Sequence, residues 1–107
     1  MATTRTHELR TAYADEETWT SDEASGSLTF DLADHRKIGV DVKPATGTVD
    51  VAVTAVRTRA PGATTISLAT VSGSSGYDAV FEGPWALVTL AWSNASAALT
   101  INRRASS

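Results

Sequence analysis

The feature that most restricts what this chain can become is a period-two alternation that runs twice near its C-terminus. Between Trp85 and Trp92 the apolar residues Val88, Leu90 and Trp92 alternate with Thr89 and Ala91. After the turn Ser93 to Ser96, the run Ala97 to Asn102 places Leu99 and Ile101 in the same rhythm. Successive side chains of a strand point to opposite faces, so each run has one apolar face and one smaller, more polar face. Folding Trp92 against Ala97 sets Leu90 opposite Leu99, Val88 opposite Ile101 and Thr89 opposite Thr100. That register sorts both faces at once and predicts an antiparallel hairpin.

The same rhythm recurs upstream. Leu28, Phe30 and Leu32 alternate with Thr29 and Asp31; Ile38, Val40 and Val42 with Gly39, Asp41 and Lys43; Val49, Val51 and Val53 with Asp50, Ala52 and Thr54. Ile66, Leu68 and Val71 mark a less regular strand, and Tyr77, Ala79 and Phe81 another. Turn residues separate them at Ser25 to Ser27, Pro44 to Gly47, Pro61-Gly62, Ser72 to Gly76 and Gly83-Pro84. The two Val-rich runs are expected to pair as a hairpin. Of the registers that keep their apolar groups on one face, the one with Lys43 opposite Asp50 attracts and the one with Asp41 opposite Asp50 repels. Such pairs are worth roughly 0.2–1 kcal/mol, which favours the first. Short strands with frequent turns and no long amphipathic helix predict an all-β fold: an antiparallel β-sandwich or jelly-roll-like barrel of about seven to eight strands.

A chain of 107 residues is expected to form one domain, and without Cys its core must hold with no disulfide or thiolate metal site. Residues 1–23 read differently from 24–107. Their large apolar groups are Leu9, Tyr13 and Trp19, and Asp15, Glu16, Glu17, Asp22 and Glu23 make the segment acidic. Leu9 and Tyr13 have helical spacing, with Thr6 as a possible cap, but an extended arm docking those side chains fits equally. The expected division is an N-terminal arm over 1–23 and a sandwich over 24–107. Leu9, Tyr13 and Trp19 on the arm, with His35 and Arg36 in the polar connection Ala33 to Lys37, are the candidate partner-binding residues.

The sequence argues against several chemistries. Net charge is −3 and the nine Lys and Arg are scattered, so nucleic acid is not an expected partner. No apolar run is long enough to span a bilayer, and the N-terminus lacks the apolar core of a signal peptide. No cofactor is expected: neither His7 nor His35 has a second His at ligand spacing, and no calcium-loop or phosphate-binding glycine motif is present. His35 beside Asp34 could join a serine in a triad only by convergence in space, and no nucleophile elbow surrounds any Ser. The chain is not expected to be an enzyme.

Exposed aromatic faces can stack on sugars or fill a partner's pocket. Trp92 falls on the inferred core face. Trp85 with Tyr77 is the pair that a carbohydrate- or receptor-binding module would need. Asn94, Ala95 and Ser96 fit a glycosylation acceptor, taken here as a turn sequence.

From Leu28 to Asn102 the order of features resembles small β-sandwich structural proteins of tailed bacteriophages, namely head-decoration (cement) proteins, head fibres, and neck or tail accessory domains. The likeness lies in the strand runs Ile38 to Val53, the Gly/Ser loop Ser72 to Gly76, the strand Tyr77 to Phe81, the turn Gly83-Pro84-Trp85 and the short closing Ala/Leu/Thr strand. It is one of style and transfers no functional residue. It implies a capsid decoration protein at the virion surface, made in the host cytoplasm. The implied partners are the major capsid protein or other virion proteins and further copies of the chain, a trimer being one such state.

Overall fold

The computed structural model describes residues 3–11, 14–32 and 36–106. Tyr13 and His35, two of the candidate binding residues, lie outside them. The described residues form nine strands: β1 (Thr3–Arg10), β2 (Ala14–Ser21), β3 (Gly26–Asp31), β4 (Lys37–Pro44), β5 (Val49–Val56), β6 (Ile66–Ser74), β7 (Tyr77–Glu82), β8 (Leu87–Ser93) and β9 (Leu99–Ser106). They form a five-stranded sheet in the order β1-β2-β9-β4-β7 and a four-stranded sheet in the order β3-β8-β5-β6. Every pairing is antiparallel. The architecture is a β-sandwich, and the described residues contain no helix.

The alternating runs set the faces as expected. Ile38, Val40, Val42, Val53, Val88, Leu90 and Ile101 are fully buried between the sheets. Each such side chain contributes about 1.5–3 kcal/mol relative to staying exposed. The strand partners differ from expectation. β8 belongs to the four-stranded sheet and β9 to the five-stranded one. Trp92, Leu90 and Val88 therefore meet Leu99 and Ile101 across the core instead of beside them in one sheet. The Val-rich pair likewise separates: β4 lies between β9 and β7, and β5 between β8 and β6. Lys43 pairs with Thr100 and Asp50 with Ser93, so the expected Lys43–Asp50 pair does not form. Alternation fixes which face is apolar; it leaves open whether two apolar faces sit side by side or face to face.

The segment expected as an arm is built into the sheet. β1 and β2 pair antiparallel, and β2 pairs with β9 from Ala14↔Ser106 to Ser21↔Leu99. No helix forms around Leu9. A bulge between Arg5 and His7 shifts the register of β1, and the Thr6 hydroxyl, read as a cap, donates to the Thr18 carbonyl at 3.0 Å.

The two flanks of the sandwich differ. At one, the edge strands β6 and β7 are joined directly through Ser75 and Gly76. At the other, the four-stranded sheet ends at β3, and Phe30 of β3 packs against Trp19 of β2, with ring centroids 5.3 Å apart. β1 is thus the extra strand of the larger sheet on that flank. Near it Gly26 lies against Trp92. A Cβ there would come within 2.6 Å of the Trp92 ring, whose Nε1 donates to the Glu23 carbonyl at 3.1 Å.

Candidate functional site

The pairing registers align residues in rows across the five-stranded sheet. One inner row runs Glu8, Glu17, Arg103, Val40, Ala79, and the next runs Arg10, Asp15, Ala105, Ile38, Phe81. On the β4–β7 side these rows are apolar. On the β1–β2 side they are charged.

The charged half is organised around Arg103. Its residue is 1% exposed. Its guanidinium lies 5.6 Å from the Phe30 ring centroid, a cation–π approach. Nη2 donates to Glu17 Oε1. Nη1 lies 3.2 Å from Asp15 Oδ2, near enough for ionic attraction but not aligned for a hydrogen bond. Glu17 also accepts from Arg5 Nη1 at 3.1 Å. Arg5 holds Glu8 at 3.2 Å as well, so one guanidinium bridges two glutamates that face each other across β1 and β2. Arg10 closes the series on Glu8. The Glu8 hydrogen bond and charge hold the Arg10 guanidinium above its ordinary basicity. A cleft of about 450 Å³ is bordered here by Arg10, Asp15, Glu17, Phe30, Asp31 and Arg103. Asp31 is held by Arg59.

The outer face of the same sheet carries a second feature. One row runs Leu9, Glu16, Arg104, Gly39, Val80 across all five strands. Among the described residues Leu9 and Val80 are the exposed large aliphatic ones, at 46% and 68% exposure, and they stand on the two edge strands β1 and β7. Between them Arg104 Nη2 bonds Glu16 Oε2 at 2.8 Å, and Asn102 Nδ2 bonds the same oxygen at 3.1 Å. These contacts hold the Glu16 carboxyl below its usual range, with Arg104 the larger cause. Gly39 leaves a shallow depression of about 330 Å³ bordered by Lys37, Asp41, Asp78, Val80 and Arg104. Asp41 and Asp78 are direct cross-strand partners. Desolvation, then the charge of Asp78, raises the Asp41 carboxyl, opposed by Lys43.

The candidate residues separate in space. Leu9 is on the outer face. Trp19, 9% exposed, is part of the core, which removes it from any docking surface. Arg36 is exposed at the start of β4, where its backbone bonds Ser106 and Gly83. Trp85 and Tyr77 both pack partly against the core, and Arg57 covers the Trp85 ring at 5.3 Å, so they offer no open aromatic platform. Asn94 is in a turn with φ 56°, and its amide donates to Asp50 Oδ2 at 2.7 Å. With the Gly73 N–H, this holds the Asp50 carboxyl low.

Sequence reasoning read Asp15 and Glu17 only as part of an acidic segment and passed over Arg103. The signal was present: Leu99, Ile101, Arg103 and Ala105 continue one alternation, and Asp15, Glu17 and Trp19 form another. Complementary charges at inward positions of two strands mark them as neighbours.

No protein-family model matches this chain, and no curated protein matches it. Among solved structures, it is similar to a cupin domain from Bordetella pertussis at 14% identity and TM-score 0.47, over 98% of this chain and 93% of that one. It is also similar to a protein of Bacillus endospore appendages, described as disulfide-linked pili, at 15% identity and TM-score 0.49, over 87% of this chain and 86% of that one.

Proposed function

We propose that this protein is a non-enzymatic structural component of a virion, a decoration (cement) protein that binds the outside of the capsid and stabilises it by bridging neighbouring subunits. The observation that carries this reading is the outer row of the five-stranded sheet. Two exposed aliphatic anchors stand at its opposite edges, about 19 Å apart at the usual strand spacing, with a satisfied Glu16–Arg104 pair and the Gly39 depression between them. Apolar anchors within a polar surround match the anatomy of protein interfaces. A protein that binds only the assembled shell stabilises it by mass action, with no chemistry required. The resemblance in the order of sequence features and in composition to phage structural proteins supports the same reading. The partners are then the major capsid protein and further copies of this chain.

Mass spectrometry of purified particles tests it. The expected result is this chain at a copy number matching the capsid lattice. A few copies per particle would place it in the neck, tail or a fibre instead, and its absence from the particle would overturn the reading. Val80→Asp and Leu9→Asp are expected to melt like the parent but to lose co-sedimentation with shells.

A further inference from the structure

β1 is the least covered strand of the fold. Residues 4–10 are all exposed, and the strand pairs with β2 alone, so its other edge is open. The backbone shows which groups line that edge. The Thr11 N–H bonds the Ala14 carbonyl, in phase with the β1–β2 register. Bonded positions alternate along an antiparallel pair, so His7, Leu9 and Thr11 turn their N–H and C=O groups to β2, and Glu8 and Arg10 turn theirs outward. Before His7 the bulge at Arg5 breaks the register, which limits the usable edge to residues 7–11. An unpaired edge is a template for a further strand.

The charges decide which strand fits. Against an antiparallel second copy, the outward groups allow Glu8 opposite Glu8, Arg10 opposite Arg10, or Glu8 opposite Arg10. The first two set like charges together. The third sets two opposite-charge pairs, one on each side of a twofold axis, and each pair exchanges two backbone hydrogen bonds. In that register the exposed Leu9 of one copy stands beside Leu9 of the other on the axis. Arg5 and Arg10 already hold Glu8 within the chain, so pairing extends an ion network instead of desolvating a lone charge. The far edge of the sheet lacks this self-complementarity. β7 exposes Asp78, Val80 and Glu82 and carries no cation, so a second β7 would meet it with like charges. Five residues a side make a short seam, which places the contact in the weak, transient class.

We propose that β1 is the surface through which two copies of this chain dimerise, antiparallel about a twofold axis at Leu9, with Glu8 of each copy opposite Arg10 of the other. The two five-stranded sheets then run on as one sheet, with both Leu9 side chains in the middle of its outer face. The dimer goes beyond the shell-binding reading and forms without a shell.

Sedimentation velocity of the full chain alone, over a concentration series, tests it. The parent is expected to pass from monomer to dimer, at a midpoint that rises with salt as the exposed charges are screened. Glu8→Arg and Arg10→Glu are each expected to weaken the dimer at least roughly tenfold, because each sets like charges opposite. Mixed in equal amounts, the two variants are expected to form a heterodimer of parent strength, since every cation then meets a carboxylate. A folding fault in either variant would not be repaired by mixing, and the buried Trp92 indole N–H signal in NMR is expected to stay in place in both. Val80→Asp is expected to dimerise like the parent. A parent that stays monomeric up to about 1 mM, a dimer undiminished by either charge reversal, no recovery when the folded variants are mixed, or a dimer lost in Val80→Asp would each overturn the proposal. Shells play no part in these measurements, so their outcome is separate from that of the particle test.

Discussion

Two halves of one layer make the most instructive contrast in this molecule. The inner face of the five-stranded sheet is aliphatic over β4, where Ile38, Val40 and Val42 are fully buried. The same rows become ionic over β1 and β2, with Arg103 as the point of change. Val40 and Arg103 are direct cross-strand neighbours, equally hidden from solvent. One is stabilised by displacing water, the other by a set of partners that must all be present. The difference follows the opposing sheet. β4 lies beneath the strands of the smaller sheet, whereas β1 is the strand left over on the flank where that sheet ends at β3.

That contrast can be broken most decisively at Arg103. Arg103→Met leaves Glu17 and Asp15 close together without their shared cation. It is expected to destabilise the fold by about 3–5 kcal/mol, as for any buried pair with one partner removed, measured by urea denaturation. The double variant Arg103→Met with Glu17→Gln should recover part of that loss, and no recovery would show that the guanidinium works through packing alone. Val40→Ala, on the neighbouring strand, is expected to cost about 2 kcal/mol from lost burial and the residual cavity. Should Val40→Ala exceed Arg103→Met, the ionic half would be peripheral to stability.

The smallest effect lies on the opposite face. Asp78→Asn removes the like charge directly across from Asp41 and is expected to stabilise by about 0.5 kcal/mol at neutral pH. The signs with pH run in opposite directions. Asp41 has a raised folded pKa, so its ionised form weakens the fold and protonation relieves this as pH falls through that value. Glu16 has a lowered folded pKa, so its contribution is full above the usual 4.5 and is lost as pH falls through the folded value. Stability of Asp78→Asn and of the parent should therefore converge on acidification, and parallel curves would count against the pairing.

The faces of Val88, Leu90, Val40 and Val53 were legible in the sequence because period-two alternation is a local property of one strand. The partners were not. Leu90 and Leu99 both face inward whether their strands are adjacent or stacked, and the loop residues 94–98 do not distinguish a turn within a sheet from a step between sheets. The sandwich class was readable for that reason, and the Lys43–Asp50 register was not. The ionic cleft escaped for a different reason. A search for apolar alternation ends at Asn102 and skips residues 14–21, although Asp15, Glu17, Trp19 and Arg103 hold inward positions as regularly as any valine. Trp19 was visible as a large apolar group in an acidic segment, and its burial follows from the strand that carries it.

The central place of β9 in the larger sheet has a consequence for timing. This strand follows the other eight along the chain, yet it sits between β2 and β4 and pairs with both along its length. Until residues 99–106 are in place, the β1–β2 pair and the β4–β7 pair have nothing to join them. Of the sequence-adjacent strands, only β1 with β2 and β5 with β6 pair directly. The five-stranded sheet therefore waits for this segment before its two strand pairs can join, whereas the four-stranded sheet needs no part of it. Long-range pairing of this kind makes folding slow.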